Sequence, residues 1–325
     1  MPDFVSIPLH DALSPIAISY VLAAMGLNIH FGYTGLLNFG QAAFAAAGGY
    51  AMAVTIVSFN VPFIPALLLG ILAAVVLSLI MGIPTLRLRA DYLAIVTIAV
   101  AEIARLIVTT SYKDYFHARD GVSGFTDTFR SWSPYKSMDG NFLTFSPGDL
   151  WVMTVGWIVV ALLCGFIYLL MRSPWGRVLK SIREDEDAVR SLGKNVYSYK
   201  MQALILGGVI GAVGGFVGAL GLASVQPDTF TTDFTFIAFT MLILGGAARV
   251  MSPVVGAVLF WGILSLLAVL LTELSDLSWM PDSLLDNTRI GNLRFAAVGL
   301  ALMLLMIYRP QGLFGDKKEI AIDAR

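Results

Sequence analysis

The sequence predicts an all-α integral membrane protein: a polytopic bundle of about 8–9 transmembrane helices with short helices on its cytoplasmic face. Three observations lead there. Of 325 residues, 57% are hydrophobic and only 13% charged, whereas soluble domains have roughly 45–50% apolar and about 25% charged residues. The apolar residues gather into runs near the ~20 residues a helix needs to cross the hydrocarbon core. Lys and Arg crowd the connections on one side, the asymmetry that orients membrane proteins.

Nine runs are candidate spans: 12–30, 36–58, 62–84, 90–110, 150–171, 200–222, 234–248, 253–272 and 293–309. The first cation is Arg87, so the amino-terminal run lacks the positive flank of a cleavable signal and is expected to be retained as a span. The second run is rich in Gly and Ala and carries Asn38 and Gln41. It is a candidate for a broken or re-entrant helix, tolerated only where protein or water lines it. The seventh is the other weak span. The single cysteine, Cys164, lies in an apolar run and has no partner within the chain.

Placing the loop 172–200 in the cytoplasm assigns fourteen of the 21 Lys and Arg to that side and six to the other, with Arg105 inside a span. The carboxy-terminal tail 310–325 then also lies in the cytoplasm. With nine full spans the amino terminus is outside; if the second run does not cross, it is inside. Two longer polar segments face outward, 111–149 and the acidic 273–292. The net charge of −1 gives no global field for nucleic acid.

The loop 172–200 is the most informative segment. Val178, Leu179 and Ile182, then Ala188, Val189 and Leu192, recur at helical spacing, and Gly193 and Asn195 supply a stop. The acidic run Glu184–Asp187 opens the second short helix and Arg190 lies in its last turn, matching the helix dipole. Two short amphipathic helices against the membrane face are expected, with Arg183, Glu184, Asp185, Ala188, Gly193 and Asn195 as a docking surface for a cytoplasmic protein. A solvated basic loop that only fixes topology is the alternative.

In the sixth run, Gly207, Gly211, Gly214, Gly215 and Gly218 share one face at three- and four-residue steps. Small residues there let helix backbones approach closely; a surface that slides during transport is the sharper reading. Glu102 and Arg105, three apart in the fourth run, share a helix face and are expected to pair. Asn38, Gln41 and Thr97 are uncharged polar groups at membrane depth, open either to a passing solute or to another helix.

Gly32–Phe44 (GYTGLLNFGQAAF), Leu88–Thr97 followed by Glu102-Ile-Ala-Arg105, the loop from Gly176 to Lys200, Leu244-Gly-Gly246 and Tyr308–Phe314 together resemble the motifs of the branched-chain amino acid ABC-transporter permeases. The likeness covers roughly residues 30–315. The Ile-Arg-Glu-Asp-Glu loop and the Arg-Pro-Gln-Gly tail are closer to the LivM-type than to the LivH-type subunit. Family members usually carry Gly-Gly-x-Gly after the seventh span; here the residues are Gly245-Gly-Ala-Ala-Arg249.

The resemblance implies one transmembrane permease domain over 1–325 in the bacterial inner membrane. It also implies a LivH-type second permease, two ABC ATPase subunits, an extracytoplasmic solute-binding protein and a small-molecule solute, with lipid around the chain and no nucleic acid. The chain has no G-x-x-x-x-G-K-[ST] phosphate loop, so ATP is expected to be used by the partners, with no cofactor bound here and no catalysis. Branched-chain amino acids are the expected cargo. Urea, short amides and other amino acids are alternatives, and an ATP-independent channel or carrier is a more distant one. A membrane enzyme fits poorly: Glu184–Asp187 lie among cations, and His10, His30 and His117 are scattered.

Overall fold

Eight helices among the described residues are long and apolar enough to cross a membrane. The computed structural model describes residues 3–88, 90–111, 113–116, 118–135, 145–275, 287–309 and 311–314. The acidic stretch 276–286 and the tail beyond Phe314 lie outside the described residues.

Helix α1 (Asp3–Leu13) ends at Ser14, whose Oγ accepts from Ala17 N at 3.2 Å and starts α2 (Pro15–Leu27). Pro15 at the first helical position needs no hydrogen-bond partner there. The chain then widens into a π-helix, Asn28–Tyr33, and unwinds over 35–40 before α3 (Gln41–Phe59). Helices α4 (Phe63–Thr85) and α5 (Ala90–Thr110) follow, α4 packing chiefly on α3 and on the later helix Val196–Leu222.

Short elements connect them to the next long helix: α6 (Lys113–Phe116), β1 (Val122–Ser123) and α7 (Asp127–Ser131). Helix α8 (Pro147–Arg172) leads into α9 (Pro174–Glu184) and α10 (Glu186–Ser191), and then into α11 (Val196–Leu222). After β2 (Ser224–Val225) and a 3-10 turn at Pro227–Phe230 come α12 (Thr232–Gly245), α13 (Ser252–Ser275) and α14 (Asn287–Tyr308).

The two weaker runs part company. The second holds α3, whose 19 residues are long and apolar enough to cross, whereas the seventh holds α12, whose 14 residues reach about 21 Å at 1.5 Å per residue, against a hydrocarbon core of ~30 Å. Asn195 also departs from expectation. It does not stop a helix but starts α11, its side chain accepting from Ser198 N at 3.2 Å. An Asn side chain serves either end of a helix, and sequence alone does not choose.

Helices α2 and α11 form the centre and share the most extensive helix–helix contact. Eleven residues of α2 are buried, and glycines along α11 let both α2 and α3 approach its backbone. At the periphery, Leu68 and Ile80 of α4, Ile95 of α5 and Ile307 of α14 are exposed, as expected where lipid is the solvent. Strands β1 and β2 pair antiparallel, Val122 opposite Val225, which joins the 111–149 connection to the segment after α11. The opposite end gathers α9, α10, the turn 246–249 and residues 311–314. There Leu313 N donates to Leu244 O at 3.1 Å and Phe314 N to Gly245 O at 3.0 Å.

Candidate functional site

Two connected features stand out: an elbow formed by α9 and α10, and the buried unwound stretch 35–40. The elbow is built by its caps. Asp185 ends α9 and its Oδ1 accepts from Asp187 N at 3.0 Å and Ala188 N at 2.9 Å, so one carboxylate satisfies two orphan donors of α10. Gly193, at φ +78°, closes α10 by a Schellman-type turn in which Lys194 N reaches Val189 O at 3.4 Å. Leu179, Ile182 and Val189 are buried beneath the elbow, while Glu184, Asp185, Ala188 and Gly193 face out and Leu192 is 81% exposed.

The elbow is fastened to the bundle at three points. Arg183 Nη1 donates to Gly32 O at 2.7 Å, reaching the π-helix at the end of α2. Lys200 of α11 pairs with Glu186, which also accepts from Arg190 at 2.8 Å. Trp175 Nε1 donates to Gln202 Oε1 at 2.7 Å. Gly32 in turn abuts the amide of Ala248, where a Cβ would lie 2.7 Å away. Asn28 grips the same turn, donating to Arg249 O at 2.8 Å and accepting from Ala248 N at 2.9 Å.

In the unwound stretch, backbone groups lack helical partners and lie away from water, so side chains must satisfy them. Phe39 N donates to Thr97 Oγ1 at 3.0 Å, Gly40 N to Asn38 Oδ1 at 2.9 Å, and Ala42 N to Thr235 Oγ1 at 2.9 Å. A second chain of bonds runs sideways. His30 Nε2 lies 3.1 Å from Leu204 O, which can only accept, so Nε2 carries the proton and Nδ1 accepts from Asn38 Nδ2 at 3.0 Å. Asn38 also reaches Gln41 Oε1 at 3.4 Å. Gln41 Nε2 donates to Gly207 O at 3.2 Å and Ala23 O at 3.3 Å.

Asn38, Gln41 and Thr97 are thus brought together, each no more than 1% exposed, and all three bind backbone or one another. Sequence reasoning missed two members. His30 was one of three scattered histidines, although its place eight residues before Asn38 in the same apolar region was a signal. Thr235 gave none.

The five glycines of α11 sit in the seam. Gly207, Gly214 and Gly218 face α2, while Gly211 and Gly215 face Gln41 and Ala45 of α3. Glu102 and Arg105 pair at 2.5 Å, and Arg105 also lies 3.6 Å from Asp228 in the 3-10 turn. That third member is far away in sequence.

Residues 12–308 match the family described as branched-chain amino acid transport system permease component. The chain belongs to that family. It is 28% identical over 315 residues to the high-affinity branched-chain amino acid transport permease LivM of Escherichia coli, covering 93% of this chain and 69% of the relative. A probable LivM of Methanocaldococcus jannaschii is 25% identical, with 92% and 91% covered. A nucleoside ABC transporter permease of Lactococcus lactis is 30% identical over a shorter stretch, 45% of this chain and 44% of the relative.

Against the family pattern, the unusual residue of this permease is Ala248. It holds φ +64° where Gly-Gly-x-Gly would place a glycine, so an alanine occupies a left-handed conformation that glycine adopts freely.

Proposed function

We propose that this permease moves branched-chain amino acids inward by alternating access, driven by ATP hydrolysed in two separate ATPase subunits. Its other partners are a LivH-type second permease and an extracytoplasmic solute-binding protein. The observation that carries the coupling is the elbow: an outward-facing surface, rigidly capped, whose Arg183 holds the carbonyl of Gly32. A push on α9 and α10 is delivered to two places, the π-helix end of α2 and, through Lys200 and Trp175, the start of α11.

The face bearing the elbow is cytoplasmic in this reading, as is the tail, because fourteen of the 21 cations lie on that side of the chain. Arg183, Glu184, Asp185, Ala188, Gly193 and Asn195 form or shape the ATPase contact. The glycine seam of α11 lets α2 and α3 shift against it. Asn38, Gln41 and Thr97 hold the unwound wall of the solute path.

A nucleotide shifts the two access states only by binding one of them better. The π-helix and the unwound stretch are where the backbone can change with least loss of regular hydrogen bonding. The chain works as one permease domain with no cofactor of its own.

The test is reconstitution of the chain with its partner permease, ATPases and binding protein in proteoliposomes. ATP-dependent accumulation of labelled leucine, isoleucine or valine, competed by one another and not by nucleosides, supports the reading. Accumulation of a nucleoside instead, or uptake by the chain alone without ATP, refutes it.

A further inference from the structure

Helix α4 ends at Thr85, and the chain turns through 86–88 before α5. Between this turn and the start of α11 lies a cleft of about 440 Å³, whose lining includes Arg87, Leu88, Glu186, Arg190, Lys194 and Tyr197. Three cations thus meet one carboxylate, and that carboxylate is already engaged. Glu186 accepts from Arg190 at 2.8 Å and pairs with Lys200, while Arg190 also reaches Asp187 at 2.9 Å. Arg87 and Lys194 have no ion-pair partner among the described residues. Arg87 lies over the Tyr197 ring, its Cζ 5.8 Å from the centroid, which steadies the side chain and leaves its charge unmatched.

The cleft borders the surface that faces lipid. Tyr197 Oη donates to Ile83 O at 3.4 Å, so one wall is the last turn of α4. Ile80 and Ile83 of that helix are 63% and 56% exposed, and exposed Leu88 and Tyr92 continue the apolar surface through the turn onto α5. An apolar helix face that leads up to two unpaired cations is the pattern expected where acyl chains end and headgroup phosphates begin.

We propose that this cleft binds the phosphate of an anionic phospholipid. Arg87 offers its planar fork of N–H donors, which matches phosphate oxygens bidentately, and Lys194 supplies a point charge. The acyl chains lie along Ile80 and Ile83. A free phosphate or a protein carboxylate would satisfy the cations but leave the adjoining apolar face unused, which is why the lipid is the occupant. The bound lipid links the elbow to the α4–α5 turn, which none of the elbow's three fastenings reaches. The site is independent of which solute is carried.

The test uses the assembled transporter in nanodiscs of phosphatidylcholine with a minor share of phosphatidylglycerol that carries a photoreactive group beside its phosphate. Label is expected on residues 83–88 and 194–197. Arg87→Gln and Lys194→Gln should each lower it about fivefold, the worth of one cation at an anionic surface, and Lys194→Arg should retain it. Arg172 is another exposed cation, at the end of α8, lying 4.2 Å from the centroid of the Tyr168 ring. Arg172→Gln should change the labelling by less than about twofold if the site is local rather than a general attraction to the surface. Size-exclusion chromatography checks that each variant assembly is intact.

Equal labelling of the cleft by phosphatidylcholine bearing the same group, or labelling indifferent to both substitutions, overturns the site. Loss of the phosphatidylglycerol label in inorganic phosphate, but not in chloride of the same ionic strength, makes the ligand a free anion and overturns the lipid assignment. Failure of the double variant Arg87→Gln, Lys194→Gln to co-purify the ATPases makes the cleft a protein contact instead. An unmodified assembly that shows the expected label but imports no branched-chain amino acid removes the transport reading and leaves the lipid site standing.

Discussion

The guanidinium of Arg183 donates to the carbonyl of Gly32 at 2.7 Å, across 151 positions of sequence. One partner sits on the elbow, the other in the π-helix that ends α2. The carbonyl is available because Gly32 lies in the last turn of the π-helix, where carbonyls lack a following helical amide to accept from. The contact therefore ties the surface that would receive a motor's stroke to the place where the first span is already irregular.

Arg183→Ala removes this link and leaves the caps of α10 untouched. Hydrogen bonds to charged groups contribute about 1.5–3 kcal/mol, equivalent to roughly ten- to a hundredfold in an equilibrium. We expect the assembly to form, ATP hydrolysis to continue, and solute imported per ATP to fall about tenfold or more. Measuring hydrolysis and uptake on the same proteoliposomes checks this; a parallel fall of both would mean that Arg183 holds the ATPase rather than transmits its motion.

Ala188 and Gly193 act on the same surface by different means. Ala188 is exposed on α10, so Ala188→Trp adds bulk where a partner would sit and is expected to lower ATPase co-purification while membrane insertion persists. A Cβ on Gly193 meets nothing within 4 Å, but its φ of +78° does not suit an L side chain. Gly193→Ala therefore strains the elbow by about 1–2 kcal/mol. It should loosen coupling without blocking assembly. Equal behaviour of the two variants in pull-down would contradict the distinction.

The glycines of α11 give a graded test of close packing. A Cβ on Gly215 would collide with the Ala45 backbone, and one on Gly214 would lie 2.8 Å from Ser19 O, whereas Gly165 of α8 has nothing within 4 Å. Gly215→Val should abolish a folded chain, Gly214→Ala should destabilise by about 1–3 kcal/mol, and Gly165→Ala should be neutral or stabilising. Fluorescence-detected size exclusion over a temperature ramp orders them; tolerance of Gly215→Val would mean that α3 moves away freely.

Much of this was legible in the sequence because one-dimensional patterns encode it. Apolar runs gave the spans, the acidic run 184–187 and Gly193 bounded the elbow's second helix, and the glycine spacing marked the α11 seam. What stayed hidden depends on tertiary position. Nothing near Asp228 announces Arg105, and Thr235 is an ordinary polar residue until it meets the amide of Ala42. The π-helix is likewise invisible to a 3.6-residue period, and it is what brings His30 to Asn38.

Ala248 carries a conformational strain that a single substitution can relieve. At φ +64° an L residue is disfavoured by about 1–2 kcal/mol, while a new glycine costs about 0.4–1 kcal/mol through the freer unfolded chain. The first exceeds the second. Ala248→Gly should therefore raise the melting temperature slightly, provided Asn28 keeps its bond to the 248 amide. A lowered melting temperature would show that the methyl group packs favourably enough to outweigh the strain.

Thr97 offers the sharpest test of the buried polar stretch, because its hydroxyl is both acceptor and donor. It accepts from Phe39 N at 3.0 Å and donates to Ala94 O at 2.8 Å. Thr97→Val keeps the shape and strands the Phe39 amide at membrane depth, a loss of about 1–3 kcal/mol. Thr97→Ser keeps the hydroxyl and loses only a methyl group. If the hydroxyl holds the unwound wall, Ser should retain stability and uptake while Val loses both, the stability loss being read as a lower melting temperature. If Thr97 instead touches solute, Val should raise the KM with the melting temperature unchanged. The two roles separate because one acts on the fold whether or not solute is present, and the other acts only when solute binds.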